Sequence, residues 1–310
     1  MMTFVEKEKH CENLFESMGP FWHIYTDGNT MTDIFCCDED MKLGMIALAV
    51  AACQTPEIDI ITFEQMNNHL HIIARGPEER CLDMFERFSL RTKRVFQAGG
   101  KVIDWDPFKA NILLIENLKA LRNEIIYVNR NAFVANPRYT PFSYPWGGGC
   151  AYFSPFYRML PTTRFQDCGI NTWRRLTHCR DIDMLKELEF IGDIVFIGDI
   201  VFIPSFCRID VGESLFHDAR SYFNALTRNA EAFSLIASRL QDSIFLTDDE
   251  LYAVTIRFAD NEYGNRQLAL LTPEQKIRTA KELHYRYNAS NQQIRRILKI
   301  DPGILSELFP

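Results

Sequence analysis

Asp59-Ile60-Ile61-Thr62-Phe63-Glu64, followed shortly by Asn67-Asn68-His69-Leu70-His71, is the stretch on which the reading of this chain turns. The first run is rich in β-branched and aromatic residues, which predicts a strand. Strand side chains alternate between faces, so His69 and His71 project together and Leu70 points the other way. Two imidazoles side by side on a rigid strand can hold one divalent metal when a third ligand arrives from elsewhere. A solvated or structural histidine pair has the same pattern. The strand is expected to continue through Ile72-Ile73-Ala74 and to stop at Gly76-Pro77.

The 310 residues leave room for one large domain or two to three smaller ones. A hydrophobic fraction of 47% suits a globular core. The most apolar stretch, Gly44 to Cys53, is too short to span a membrane, and Met1 to Lys9 lacks an apolar signal core. Nine cysteines occur with no Cys-x-x-Cys spacing, which predicts reduced thiols and a cytoplasmic protein. The net charge of −7 argues against indiscriminate nucleic-acid binding but leaves room for a local basic surface.

Phe21-Trp22-His23-Ile24-Tyr25-Thr26 reads as a first strand closed by Asp27-Gly28-Asn29, and 38–53 as a helix with Met41, Leu43, Ile46 and Val50 near helical spacing. Residues 80–97 read as an amphipathic helix with Leu82, Phe85, Phe88 and Leu90 inward. Arg80, Arg87, Arg91, Lys93 and Arg94 fall on its other side, as a solvated face or as a ridge that tracks phosphates. A second helix is expected over 110–131, striped by Leu114, Leu118, Leu121, Ile125 and Val128. Tyr127 and Asn131 lie four apart on its polar side, with Asn123 and Glu124. The Pro, Gly and aromatic residues of 136–153 predict a loop that wraps the preceding elements and closes the first domain. His23, His178, His217 and His284 have no partner pattern and read as structural.

Composition shifts near residue 160. A helix is expected over 180–189, then a direct repeat, Phe190-Ile191-Gly192-Asp193-Ile194-Val195 and Phe196-Ile197-Gly198-Asp199-Ile200-Val201. Six residues are too few for a solenoid unit, so the copy reads as a local duplication in a loop or strand end. Residues 212–245 read as helices, and Thr247-Asp248-Asp249-Glu250 as the capping box of another. Thr272-Pro273-Glu274-Gln275, Ser290-Asn291-Gln292-Gln293 and Asp301-Pro302-Gly303 are three more helix starts. Residues 271–310 carry seven Lys and Arg against four Asp and Glu, a net +3, with Arg295 and Arg296 adjacent. That tail reads as a helix-turn-helix-like unit or as a helical cap packed on the protein.

Asn68-His69-Leu70-His71, a basic helix, and then Tyr127-Val128-Asn129-Arg130-Asn131 resemble the single-tyrosine HUH transposases, closest to the REP-associated tyrosine transposase type. Tyr139 to Trp146 is similar to the Tyr-Pro-Trp loop that follows the tyrosine helix in that family. The likeness covers roughly residues 20–153, and Asn67 stands where the family usually has proline. It implies an α+β catalytic domain over 1–158, an antiparallel sheet flanked by helices in the HUH endonuclease, ferredoxin-like manner. An all-α region would follow, mostly helical over 159–268, with a three-helix tail over 269–310.

The resemblance implies a metal-dependent endonuclease and strand transferase for single-stranded or hairpin DNA. Tyr127 would be the nucleophile and His69 and His71 the metal ligands, with Asn131 offering a third, oxygen ligand. Imidazole with hard oxygen suits Mg²⁺ or Mn²⁺. Arg87, Arg91, Arg94, Arg130, Arg295 and Arg296 are the candidate DNA contacts. One tyrosine per chain implies sequential reactions or two chains acting together as a homodimer. Two rivals stand beside this expectation: a non-catalytic DNA-binding regulator built on a retired HUH fold, and a metal hydrolase, which would need further carboxylate or histidine ligands.

Overall fold

A computed structural model of the chain describes residues 3–28, 31–135, 138–140, 142–164, 167, 194–228, 230–240 and 246–309. The helix expected over 180–189, and repeat residues 190–193, lie outside the described residues. The chain packs as two units, Met1–Phe223 and Asn224–Pro310.

The first unit is mixed α+β. Its elements are α1 (Phe4–Met18), β1 (Phe21–Tyr25), α2 (Asp38–Cys53), β2 (Asp59–Gln65), β3 (Leu70–Arg75), α3 (Glu78–Ala98), β4 (Asn111–Ile115) and α4 (Leu118–Ala135). The four strands form one sheet in the order β2-β3-β1-β4, and each neighbouring pair is antiparallel. Two strand-helix-strand passes, β1-α2-β2 and β3-α3-β4, therefore interlock, with β3 between β1 and β2 and β1 between β3 and β4.

Alternation assigns the two faces. Ile24, Phe63, Leu70, Ile72 and Ala74 share one face and are fully buried. α2 and α3 pack on each other and cover this side. The approach of α2 is close: a Cβ at Gly44 would lie 2.3 Å from Gln65 Oε1 and 2.6 Å from Phe35 Cε1. Gln65 Nε2, in turn, donates to the Met41 carbonyl at 3.0 Å. Each buried Leu, Ile or Phe side chain here contributes roughly 1.5–3 kcal/mol. On the opposite face, α4 lies across β2 and β3, with α1 beside it.

Three expectations are corrected here. His69 and His71 do not extend the Asp59 run. His71 lies on the second limb of a hairpin, β3, whereas His69 ends the turn at residues 66–69, where Met66 N–H donates to the His69 carbonyl at 2.9 Å. The helix expected over 110–131 is a strand followed by a helix. Asn111–Ile115 pairs with β1, and Leu114, 47% exposed, lies outside the helix stripe. Asn117 Oδ1 then accepts from Ala120 N–H and starts α4. On α3 the inward residues are Cys81, Met84, Phe85, Phe88, Arg91, Thr92, Val95 and Phe96. Leu82 and Leu90 face outward, and Arg91 is inside.

Both ends of β2 are covered on the outer side, which blunts a sheet edge that would otherwise be open. Gln65 N–H donates to the Trp146 carbonyl at 2.9 Å, and Tyr144 donates its hydroxyl to the Gln65 carbonyl at 2.5 Å. The Pro and aromatic loop thus wraps the sheet as its composition predicts. At the other end, Arg208 N–H donates to the Ile60 carbonyl at 2.7 Å. This contact belongs to a later segment comprising α5 (Pro155–Arg158), β5 (Thr163–Arg164), β6 (Val195–Ile197), β7 (Ile200–Val201), α6 (Ile209–Ser214) and α7 (Ala219–Arg228). The second repeat copy forms the β6-β7 hairpin. Packing therefore does not divide the chain at the compositional break near 160: residues 194–223 belong with the first unit.

The second unit is helical: α8 (Ala230–Leu240), α9 (Asp248–Tyr263), α10 (Pro273–Tyr287), α11 (Asn291–Leu298) and α12 (Pro302–Leu308). Thr247 with Glu250, Thr272 with Gln275, and Ser290 with Gln293 each form a complete capping box. Ala259, Leu268 and Leu271 make a core joined by Ile256, Tyr263 and Ile297. The tail therefore shares its core with α9 and is not a free-standing trio. No helix among the described residues is long and apolar enough to cross a membrane.

Candidate active site

The sheet face under α4 is polar at its centre. β1 contributes His23 and Tyr25 to it, β3 contributes His71, and β2 contributes Thr62 and Glu64. Register places Tyr25 on one side of His71 and Glu64 on the other. From above, α4 presents Glu124, Tyr127 and Asn131, which repeat at three and four residues and so share one helix face.

Hydrogen bonds connect these elements. His23 is fully buried. Its Nδ1 is 2.9 Å from Glu124 Oε2 and its Nε2 is 3.0 Å from His71 Nδ1. Tyr127 is 1% exposed. Its ring centre lies 5.8 Å from that of His71, perpendicular to it, and 6.4 Å from that of His23. His69 sits just before β3, with its ring centre 5.1 Å from His71 and its Nδ1 2.7 Å from Asn68 Oδ1. Asn68 is itself anchored, its Nδ2 donating to the Gly28 carbonyl at 2.7 Å. A Cβ at Gly28 would come within 2.7 Å of His69 Nδ1, so the turn after β1 fits closely over that imidazole. Asn131, one turn past Tyr127, is also buried. Beside it, Thr62 donates its hydroxyl to Asn129 Oδ1, and Asn129 Nδ2 donates to the Tyr222 hydroxyl at 3.0 Å.

Comparison with family models, curated proteins and solved structures finds no match. What this chain does must therefore be argued from its own geometry.

Tyr127, His69 and His71, singled out by sequence, come together between α4 and β3, and Asn131 is buried one turn along α4 from Tyr127. His23 and Glu124 join them, and sequence reasoning missed both as members of the site. Alternation in Phe21-Trp22-His23-Ile24-Tyr25 is the available signal, since it puts His23 and Tyr25 on one strand face. Nothing in the sequence says that β1 lies beside β3.

The arginines divide. Arg91 is 9% exposed, with Nη2 3.4 Å from Gln54 Oε1, and Arg130 is 1% exposed. Neither lies on a surface that a DNA backbone could follow, which corrects their placement among the DNA contacts. The reason is packing: position 91 falls in the inward stripe of α3, and position 130 is enclosed within the first unit. Arg87 pairs with Asp83 at 3.1 Å, and Arg296 with Asp248 at 2.8 Å. Arg94 and Arg295 are exposed.

Burial raises the Tyr144, Tyr152 and Tyr222 hydroxyls far above the ordinary tyrosine range. Among the described residues, no group of three or more His, Cys, Asp and Glu side chains is disposed to hold a metal ion.

Proposed function

We propose that the chain is a single-strand DNA endonuclease and strand transferase of the single-tyrosine HUH type, acting on hairpin-containing DNA through a 5′-phosphotyrosine intermediate. The observation that carries the reading is the Tyr127 ring 5.8 Å from the His71 ring, with His69 beside it. The four-stranded antiparallel sheet with two interlocked strand-helix-strand passes supports the reading, which calls for a ferredoxin-like scaffold.

Tyr127 attacks the phosphorus through its hydroxyl oxygen. The phosphodiester breaks on the 3′ side and releases a free 3′-OH, and the phosphotyrosine bond conserves the energy of the bond that was cut. A second 3′-OH attacking that linkage rejoins strands and restores the tyrosine. His69 and His71 would hold Mg²⁺ or Mn²⁺, with the Asn131 amide oxygen as a third donor. The spacing suits this: imidazoles that ligate one ion at about 2.1 Å have ring centres roughly 4.5–5.5 Å apart, and here they are 5.1 Å apart. When bound, the ion neutralises charge on the scissile phosphate. Arg94 on the first unit and Arg295 on the second are exposed cations, each of which would meet a backbone phosphate on its own. With one such tyrosine per chain, two copies acting together would process both ends of an element.

One observation favours a second reading. Tyr127 and His71 are almost fully buried, as in a polar layer that only supports the fold of a non-catalytic DNA-binding protein. A denaturing gel decides between them, after incubation with Mn²⁺ and single-stranded hairpins from the DNA flanking the gene. A covalent adduct that maps to Tyr127 supports the enzyme. Hairpin binding with no adduct supports the binding protein.

A further inference from the structure

We infer that Glu124 and His23 are positioning residues for His71, holding it as the Nδ1–H tautomer so that Nε2 is its ligating and accepting atom. The argument is one of donor and acceptor counting. A carboxylate only accepts, so at the 2.9 Å contact with Glu124 the proton belongs to His23 Nδ1. A neutral imidazole with its proton on Nδ1 carries a lone pair on Nε2. For a neutral His23, the 3.0 Å contact between its Nε2 and His71 Nδ1 has His71 donating from Nδ1. His71 is left with its lone pair on Nε2, the form a metal ligand or hydrogen-bond acceptor needs.

Three elements distant in sequence build this chain of contacts: α4 supplies the carboxylate, β1 the relay imidazole and β3 the imidazole that is oriented. Ligating histidines usually donate their other ring nitrogen to a fixed acceptor that sets tautomer and ring angle. Here that acceptor is another histidine, itself fixed by a carboxylate. His69 has a different arrangement, its Nδ1 resting on the neutral amide of Asn68. The two imidazoles are thus held by partners of different chemistry. The inference rests on the proposed function only for what meets Nε2.

Long-range ¹H–¹⁵N correlation spectra of the full-length, metal-free protein read the tautomer directly. His23 and His71 are each expected to show a protonated Nδ1 and an unprotonated Nε2. In Glu124→Gln the side chain can donate as well as accept, so His71 is expected to lose its single tautomer. Affinity for Co²⁺, followed by its visible spectrum, is expected to fall by about 10–100-fold. A proton on Nε2 of His71 in the wild-type chain overturns the inference, and so does a Glu124→Gln protein with unchanged tautomer and Co²⁺ affinity. If that variant does not fold, the wild-type spectrum alone decides. The expected tautomer without Co²⁺ binding upholds the relay and removes the metal reading. Tight Co²⁺ binding with the tautomer in place but no DNA adduct upholds it and removes strand transfer alone.

Discussion

The two faces of the four-stranded sheet differ in chemistry at their centres. Under α2 and α3 lie Ile24, Phe63, Leu70 and Ile72. Under α4 lie His23, Thr62, Glu64 and His71, met by Glu124, Tyr127 and Asn131. The apolar face follows from the hydrophobic effect. The polar face does not, because every buried polar group must find a partner and a half-satisfied network is worse than none. A chain selected for stability alone would fill this layer with aliphatic side chains. On the proposed function, the α4 face is the one kept for chemistry, and each test below either breaks that contrast or sharpens it.

The largest effect is expected from Tyr127→Phe, which removes one oxygen and keeps the ring. Adduct formation and cleavage should fall by at least ~10³-fold, with hairpin binding retained and the melting temperature little changed. Peptide mapping of a trapped wild-type adduct on Tyr139, Tyr144 or a serine would reassign the nucleophile. His69→Ala and His71→Ala should also lose cleavage while hairpin binding persists, and full wild-type activity in excess EDTA would remove the metal.

On the opposite face, Ile72→Ala should cost about 2–5 kcal/mol in denaturant unfolding. A loss well below 1 kcal/mol would mean that this face is not tightly packed.

The paired change His23→Phe with Glu124→Leu removes the polar pair but leaves the buried His71 Nδ1 without its acceptor, so a loss of about 1–3 kcal/mol is expected. Cleavage should be lost. A double variant destabilised well beyond that would show instead that the polar layer supports the fold. Asn131→Ala should reduce cleavage only by roughly tenfold, since water can supply one oxygen ligand.

The smallest effect concerns the tail. Leu271 and Ile297 belong to the same core as Ala259, so deleting 271–310 would expose that core, and substitution is the cleaner test. Arg295→Ala with Lys299→Ala should lower the salt dependence of hairpin binding by about 0.7–0.9 for each phosphate that is no longer neutralised. An unchanged slope would make the tail a structural cap.

Local signals are legible in this chain and non-local ones are not. The helix at 38–53 and the starts at Thr247, Thr272 and Ser290 rest on spacing and on capping contacts three residues apart, information carried within one turn. Asn111–Ile115 looks helical in sequence because Leu114 stands four residues before Leu118 and fits a helical stripe. Pairing with β1, which begins at Phe21, overrides that periodicity. The charge of Arg91 suggests an outward position, although the inward stripe of α3 passes through it.

The sequence by itself determined which side chains could do chemistry. Strand alternation paired His69 with His71, and helical spacing placed Tyr127, Asn131 and Glu124 together. Only the tertiary structure decided that these groups meet, that His23 links them, and that Arg91 and Arg130 are buried. The physical reason is range. Periodicity and capping act over a few residues, whereas the contacts of His23 with His71 and Glu124 span 48 and 101 residues. They exist only because β1 pairs with β3 and α4 covers both.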